Sequence, residues 1–339
     1  MRDDARRMPP DTMRGQALAL GDQLRSAAPL ARGALDGAGP FRNVCLCGLG
    51  GSAAGARLAT ALLAEDLALP VDIPVGVGLP GWVGPETLVV VTSYSGETVE
   101  ALDWFTEAGA RGATRAVLGS GGTLASLAAE AGAPAIVVEG GWQPRGALGL
   151  LLAPLLVLLR EAGAAPDPEE LIAFGADAAD AAALRDDEAR EVAGSLAGSV
   201  TVLYGSGMRA AAAVRLKNQL NENAKVAAFA GAVPEIAHNE ILGWLQTPRA
   251  TQRHTAVFLR DPAEPKGVAT LTDALAGFVT DDGAHVETWT AEGPDERSRT
   301  FGLLVFGDLV SCHLAGVEGV DAMDIARLRS LKAALAADR

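Results

Sequence analysis

Thr87-Leu-Val-Val-Val-Thr-Ser-Tyr-Ser-Gly-Glu-Thr98 is the stretch on which the fold turns. Thr-Leu-Val-Val-Val-Thr carries no charge and does not alternate, which predicts a strand buried on both faces. Ser-Tyr-Ser-Gly-Glu-Thr then supplies a turn and a helix start, and a helix is expected over 97–110. A buried strand feeding a helix is the unit of a parallel α/β sheet.

Outward from that unit the pattern repeats. Strands are expected at 43–49, 71–77, 114–118 and 135–138, with helices at 52–64 and 123–131. A second alternation has strands at 199–204, 255–260 and 285–290 and helices at 208–225, 302–315 and 325–337. Cys45-Leu-Cys-Gly-Leu-Gly50 opens the first series and Leu203-Tyr-Gly-Ser-Gly207 the second. Each sets a Gly-x-Gly turn between strand and helix, as a duplicated α/β domain would. The most apolar run, 146–159, reads as a buried helix, too short to span a bilayer and interrupted by Pro154. The expected organisation is a helical segment over 1–35, an α/β domain over 36–160, a helical linker over 161–198, a second α/β domain over 199–320 and a C-terminal helix over 321–339.

The 339 residues carry a net charge of −14 without basic clusters, which argues against nucleic acid as a partner. The charged start, MRDDARRMPPDTMRGQ, lacks the apolar core of a signal peptide. With only three cysteines, this predicts a cytoplasmic protein without membrane association. Cys45 and Cys47, two apart in a strand, point to one face and read as buried structural thiols. Four scattered histidines offer no metal-ligand spacing, so no metal is expected.

Five motifs carry chemistry. Gly48-Leu-Gly-Gly-Ser52 lets the backbone approach a ligand at a helix N-terminus. A dinucleotide site is its competing reading, weakened because Asp66 and Asp72 do not fall at the end of the second strand. Ser93, Ser95 and Thr98 put hydroxyls at the next helix start, a phosphate cradle without lysine. Ordinary capping by Ser95 is the simpler alternative. Gln143-Pro-Arg145 follows a strand on the edge where α/β ligands bind, and a fixed guanidinium there could stabilise an enediolate. In Lys217-Asn-Gln-Leu-Asn-Glu-Asn-Ala-Lys225, Asn218, Glu222 and Lys225 share a helix face. A solvated face with a Glu222–Lys225 ion pair is the plain alternative. Pro234-Glu-Ile-Ala-His-Asn-Glu240 brings His238, a proton carrier near neutral pH, to a helix start.

In this order the motifs resemble the archaeal and bacterial bifunctional phosphoglucose/phosphomannose isomerase family over roughly residues 40–335. The resemblance implies two SIS-type, flavodoxin-like parallel-sheet domains with flanking helices. It implies interconversion of glucose 6-phosphate and fructose 6-phosphate through an enediol(ate), extending to mannose 6-phosphate, with no cofactor. Gly51, Ser52, Ser93, Ser95 and Thr98 would bind the phosphate. Glu222 would be the base between C1 and C2, and Arg145 would stabilise the enediolate. His238, from the partner subunit of a homodimer, would assist ring opening, and Lys332 would lie near the sugar ring. Two departures stand out. Asp321-Ala-Met-Asp-Ile325 lacks the hydroxyl that family members often carry before that lysine, which predicts mannose 6-phosphate as the poorer substrate. Glu97 adds a negative charge beside the cradle. A non-catalytic sugar-phosphate-binding regulator and an amino-sugar phosphate isomerase of the same fold are the alternatives.

Overall fold

The computed structural model describes residues 10–245 and 253–337. Two short helices, α1 (Met13–Leu18) and α2 (Leu20–Ala27), precede a parallel sheet of order β2-β1-β3-β4-β5. Its strands are β1 (Asn43–Cys47), β2 (Val71–Asp72), β3 (Thr87–Thr92), β4 (Thr114–Gly119) and β5 (Ala135–Val137). Helices α3 (Gly51–Leu62), α4 (Val99–Ala110) and α5 (Gly122–Glu130) connect them, and α6 (Leu148–Glu161) follows. Two linker helices, α7 (Glu169–Ala182) and α8 (Asp186–Leu196), lead to a second parallel sheet of order β7-β6-β8-β9. It comprises β6 (Val200–Ser206), β7 (Ala228–Val233), β8 (His254–Leu259) and β9 (His285–Trp289). With it come α9 (Met208–Gln219), α10 (Lys266–Asp281), α11 (Glu296–Val317) and α12 (Ala326–Ala337).

The two sheets match strand for strand, β7-β6-β8-β9 against β2-β1-β3-β4. The turns that open them match in dihedral angles. Gly50 sits at φ 54, ψ −125 and Gly207 at φ 56, ψ −129, conformations that favour glycine.

Strand alternation divides the first core. Val44 and Leu46 register against Leu88 and Val90 and share a core with α6, α7, α8, α11 and, from the second sheet, Leu203, Val257 and Leu259. Cys45, Cys47, Val89 and Val91 face the other way, onto Trp104 and Phe105 of α4. The two cysteines are buried free thiols with sulfurs 3.7 Å apart. One helical layer is thus shared between the inner faces of both sheets. Helix α6 is buried from Leu148 to Leu159 with Pro154 inside it. Helix α11 is long and apolar enough to cross a membrane, but most of it is buried against α7, α8 and α9.

The strand expected over 71–77 is only Val71–Asp72. Pro74 cannot donate to a ladder and Gly76 turns to φ 140, so the chain leaves the sheet edge with Val75 and Val77 exposed. Strand β7 (Ala-Phe-Ala-Gly-Ala-Val) and helix α10 were not anticipated. Ala and Gly carry little strand signal, and β7 is held at the edge by pairing with β6. The helix expected over 208–225 ends as α-helix at Gln219, passes into a π turn over Leu220–Ala224 and stops at Lys225 in the left-handed conformation.

Candidate active site

Both proposed anion-binding turns lie after first-sheet strands, at the N-termini of α3 and α4, where free N–H groups and the helix dipole favour negative charge. Ser52, in the first turn of α3, accepts a hydrogen bond on Oγ from the Tyr94 backbone at 3.1 Å. Ser93 Oγ donates to Thr98 Oγ1 at 3.1 Å, and Ser95 Oγ accepts from Glu97 N at 3.3 Å. This bond closes a turn ahead of the helix, so the capping expected of Ser95 does not form. The helix begins at Val99 with Thr98 as its N-cap residue, and the Thr98 side chain makes no cap bond. Ser95 is exposed and Thr98 half-buried, so both hydroxyls can reach a ligand. Gly96, at φ 70, allows the loop to lie on its neighbour: a Cβ there would stand 1.9 Å from the Gly121 carbonyl.

Glu97 turns away from the cradle. Its carboxylate accepts from Thr123 N and Thr123 Oγ1, each at 2.8 Å, at the start of α5. The Thr123 amide, then its hydroxyl, hold the Glu97 carboxyl below the ordinary carboxylate range.

Tyr94 ties the cradle to the next strand's exit. Its hydroxyl donates to the Glu139 carbonyl and accepts from Trp142 N, both at 2.9 Å. Burial pushes this phenol up to about 12, so it stays a neutral hydrogen-bonding strut. Three residues on, Arg145 is 5% exposed, not the surface group that a lone arginine before a helix usually is. A Cβ at Gly51 would meet the Pro144 carbonyl oxygen at 2.8 Å, which measures how closely α3 approaches this segment.

Arg145 reaches across to the second half. Its Nε donates to Asn223 Oδ1 at 2.7 Å, Nη1 lies 3.6 Å from Glu222 Oε2, and Nη2 donates to the Ala322 carbonyl. Burial lowers its pKa, opposed first by the Glu222 charge, yet an arginine stays protonated. Asn223 donates in turn to Ser311 Oγ at 2.8 Å. Beneath it the Arg215 guanidinium forks onto Asp308, donates to the Arg145 carbonyl at 3.2 Å, and shares Asp308 with Gln219. Gly51, Arg145, Asn218 and Glu222 line one small cleft between the halves. The Glu222 carboxylate faces Arg145, while Lys225 Nζ bonds the Glu222 backbone carbonyl at 2.6 Å, so the simple i,i+3 ion pair does not form.

Asn223, Ser311, Arg215 and Asp308 had no role assigned from sequence. A lone aspartate in the apolar run Gly302-Leu-Leu-Val-Phe-Gly-Asp308 was the available signal, since a buried acid needs a partner.

His238 does not join this cleft within one chain. It ends a 3₁₀ turn, Glu235–His238, on an exposed surface, and its side chain makes no hydrogen bond among the described residues. Glu240 anchors that turn: Tyr204 OH donates to it at 2.6 Å and accepts from Trp244 Nε1 at 3.0 Å. Lys332 lies in α12, and its side chain falls outside the described residues.

Residues 185–335 match the family described as bacterial phospho-glucose isomerase C-terminal SIS domain. A bifunctional phosphoglucose/phosphomannose isomerase of Caldicellulosiruptor bescii is 30% identical over 303 residues, 87% of this chain and 89% of the relative. That of Thermoplasma acidophilum is 29% identical over 325 residues, covering 94% and 98%. Among solved structures, the C-terminal domain of glucosamine-fructose-6-phosphate aminotransferase from Francisella tularensis aligns with a TM-score of 0.74 at 13% identity, over 91% of this chain and 96% of that one. At that identity the likeness concerns fold alone.

Proposed function

The chain belongs to the bifunctional phosphoglucose/phosphomannose isomerase family, and from that premise we propose that it interconverts glucose 6-phosphate and fructose 6-phosphate, and also takes mannose 6-phosphate. The observation that carries the reading is the Glu222 carboxylate, 3.6 Å from the buried Arg145 guanidinium in a cleft that begins at Gly51.

Aldose–ketose isomerisation needs an anion anchor, a base that reaches both C1 and C2, and a positive group for the enediolate oxygen. Ser52, Ser93, Ser95 and Thr98, with the Gly51 backbone, anchor the phosphate. Glu222 takes the proton from one carbon and returns it to the other. Arg145 stays charged and fixed, so it stabilises the developing oxyanion without reorganising. The regulator alternative would retain the cradle and have no use for a carboxylate set against this arginine.

Incubating the protein with fructose 6-phosphate should yield glucose 6-phosphate and, more slowly, mannose 6-phosphate, each measured by its own coupled assay. Formation of neither aldose refutes the reading. The slower rate for mannose follows from the 321–325 segment, which offers Asp and Ala carbonyls to Lys225 and Arg145 and no hydroxyl to the sugar.

Ring opening falls to the partner subunit's His238 in a two-fold dimer, and the family resemblance gives Lys332 a role at the sugar ring. Support for the shared site is that His238 is exposed and absent from the cleft of its own chain. Co-refolding Glu222→Gln with His238→Ala in equal amounts makes about half the dimers mixed, each with one intact site, so about a quarter of wild-type activity should return. No recovery, with mixed dimers demonstrated by native mass spectrometry, rules the shared site out. Three free cysteines suit the cytoplasm as its compartment.

A further inference from the structure

Lys225 occupies an unusual place. It follows the π turn Leu220–Ala224, a departure from α-helix that recurs at functional sites. At φ 59 it is the one non-glycine residue with positive φ among the described residues. Glycine or asparagine would adopt this conformation with less strain. Something other than backbone preference must therefore compensate the lysine.

Its ammonium supplies that compensation. Nζ lies 2.6 Å from the Glu222 carbonyl, 3.0 Å from the Asp321 carbonyl and 3.5 Å from the Asn223 carbonyl. The first and third are carbonyls at a helix end, which lack intrahelical partners and attract a cation. The Asp321 carbonyl belongs to the segment between α11 and α12, and the next carbonyl along, Ala322, accepts from Arg145. Two cations thus pull one strip of backbone against the turn that carries Glu222. Asn221 secures the far side of that turn, donating from Nδ2 to the Val226 carbonyl at 2.9 Å.

We propose that Lys225 is a positioning residue whose ammonium clasps the Glu222 turn to the Asp321 segment and so sets the Glu222 carboxylate opposite Arg145. The inference rests on Glu222 being the base. Lys225 bonds backbone carbonyls and does not itself line the cleft, so its effect on the reaction passes through Glu222. The charged groups around its ammonium are Arg145, Asp324, Asp321 and Glu222.

The test compares Lys225→Gly, Lys225→Asn and Lys225→Arg, assayed as the full chain with fructose 6-phosphate. Glycine and asparagine suit the left-handed backbone, and the strain relieved offsets the ammonium's lost bonds, so both variants should fold with melting temperatures near that of wild type. Their kcat should fall by roughly 10- to 100-fold, the scale of a displaced catalytic group, with KM within about threefold. Lys225→Arg, which retains a cation, should recover most of the lost kcat. A folded Lys225→Gly enzyme with kcat within twofold of wild type overturns the proposal, and so does a loss in Lys225→Arg equal to that in Lys225→Gly. Glu222→Gln separates the two layers. If it stays active, the base assignment fails and the clasp with it; if it is inactive while Lys225→Gly behaves as wild type, the clasp alone fails.

Discussion

After β3 the chain reads Ser93-Tyr-Ser-Gly-Glu-Thr98, and after the equivalent strand β8 it reads Arg260-Asp-Pro-Ala-Glu-Pro-Lys266. In the first loop the polar side chains are small hydroxyls, with Ser93 bonded to Thr98, and the single acid is turned onto Thr123. In the second, buried charges fill the place. Glu264 accepts from Arg260 Nε at 2.9 Å and lies 3.3 Å from Arg209 Nη2, and Asp261 accepts the Arg299 fork at 2.7 and 2.8 Å. Arg209 also binds Glu296 and Arg260 binds Asp273. A crevice whose cations are already matched by carboxylates has little left to offer a phosphate. Both halves keep the strand–glycine–helix geometry, but among the described residues the loop after β3 lacks the buried ion pairs that fill the loop after β8. The second half's proposed contribution comes from elsewhere, through Glu222 just past the end of α9.

That division of labour can be broken at each side. The largest effect is expected at Glu222. Glu222→Gln should lower kcat by on the order of 10²–10⁴, the usual worth of a general base, with little change in melting temperature. A variant that keeps a tenth or more of wild-type kcat would place the base elsewhere.

The filled crevice should answer in the opposite currency. Asp261→Ala leaves the Arg299 guanidinium, 9% exposed, without its carboxylate. Removing one partner of such a pair costs on the order of 3–5 kcal/mol of stability. KM for fructose 6-phosphate should stay near wild type in the fraction that folds. Raised KM with unchanged stability would mean that this crevice binds substrate after all.

The open crevice should show the reverse. Ser95→Ala and Thr98→Val should each weaken phosphorylated-sugar binding by on the order of 1.5–3 kcal/mol, the worth of a hydrogen bond to a charged group. Melting temperatures should barely move. Unchanged KM and unchanged inhibition by sugar-phosphate analogues would remove the cradle.

This contrast also marks how far the sequence could be read. Strand β3 was legible to its ends because a run buried on both faces has a local signature, and the two Gly-x-Gly turns were legible because positive φ demands glycine. The hydroxyls of the proposed cradle and Glu222 drew notice as residue types out of place. What stayed hidden depends on pairings far apart in the chain. Arg145 meets Asn223, Arg215 meets Asp308, and β7 exists through its ladder with β6, none of which leaves a local periodicity. The filled crevice was hidden for the same reason: Arg299 and Asp261 look like ordinary surface residues until the fold brings them together.

Glu97 gives the finest test, because it sits in the open crevice yet behaves like a residue of the filled one. Its carboxylate is committed to Thr123 N and Oγ1, and those bonds depress its pKa in the folded state. A depressed carboxylate contributes stability above its unfolded pKa, about 4.3 for glutamate, and that contribution is lost as pH falls through the folded value. Glu97→Gln should therefore melt slightly below wild type near neutral pH, and the gap should close as the pH is lowered through the carboxylate range. KM should not change, because the charge is turned away from the phosphate loops. If the carboxylate instead repelled the substrate, neutralising it would lower KM. A lower KM would show that Glu97 acts on the ligand, and a melting gap constant from about pH 7 to about pH 3.5 would show that its hold on α5 does not depend on its charge.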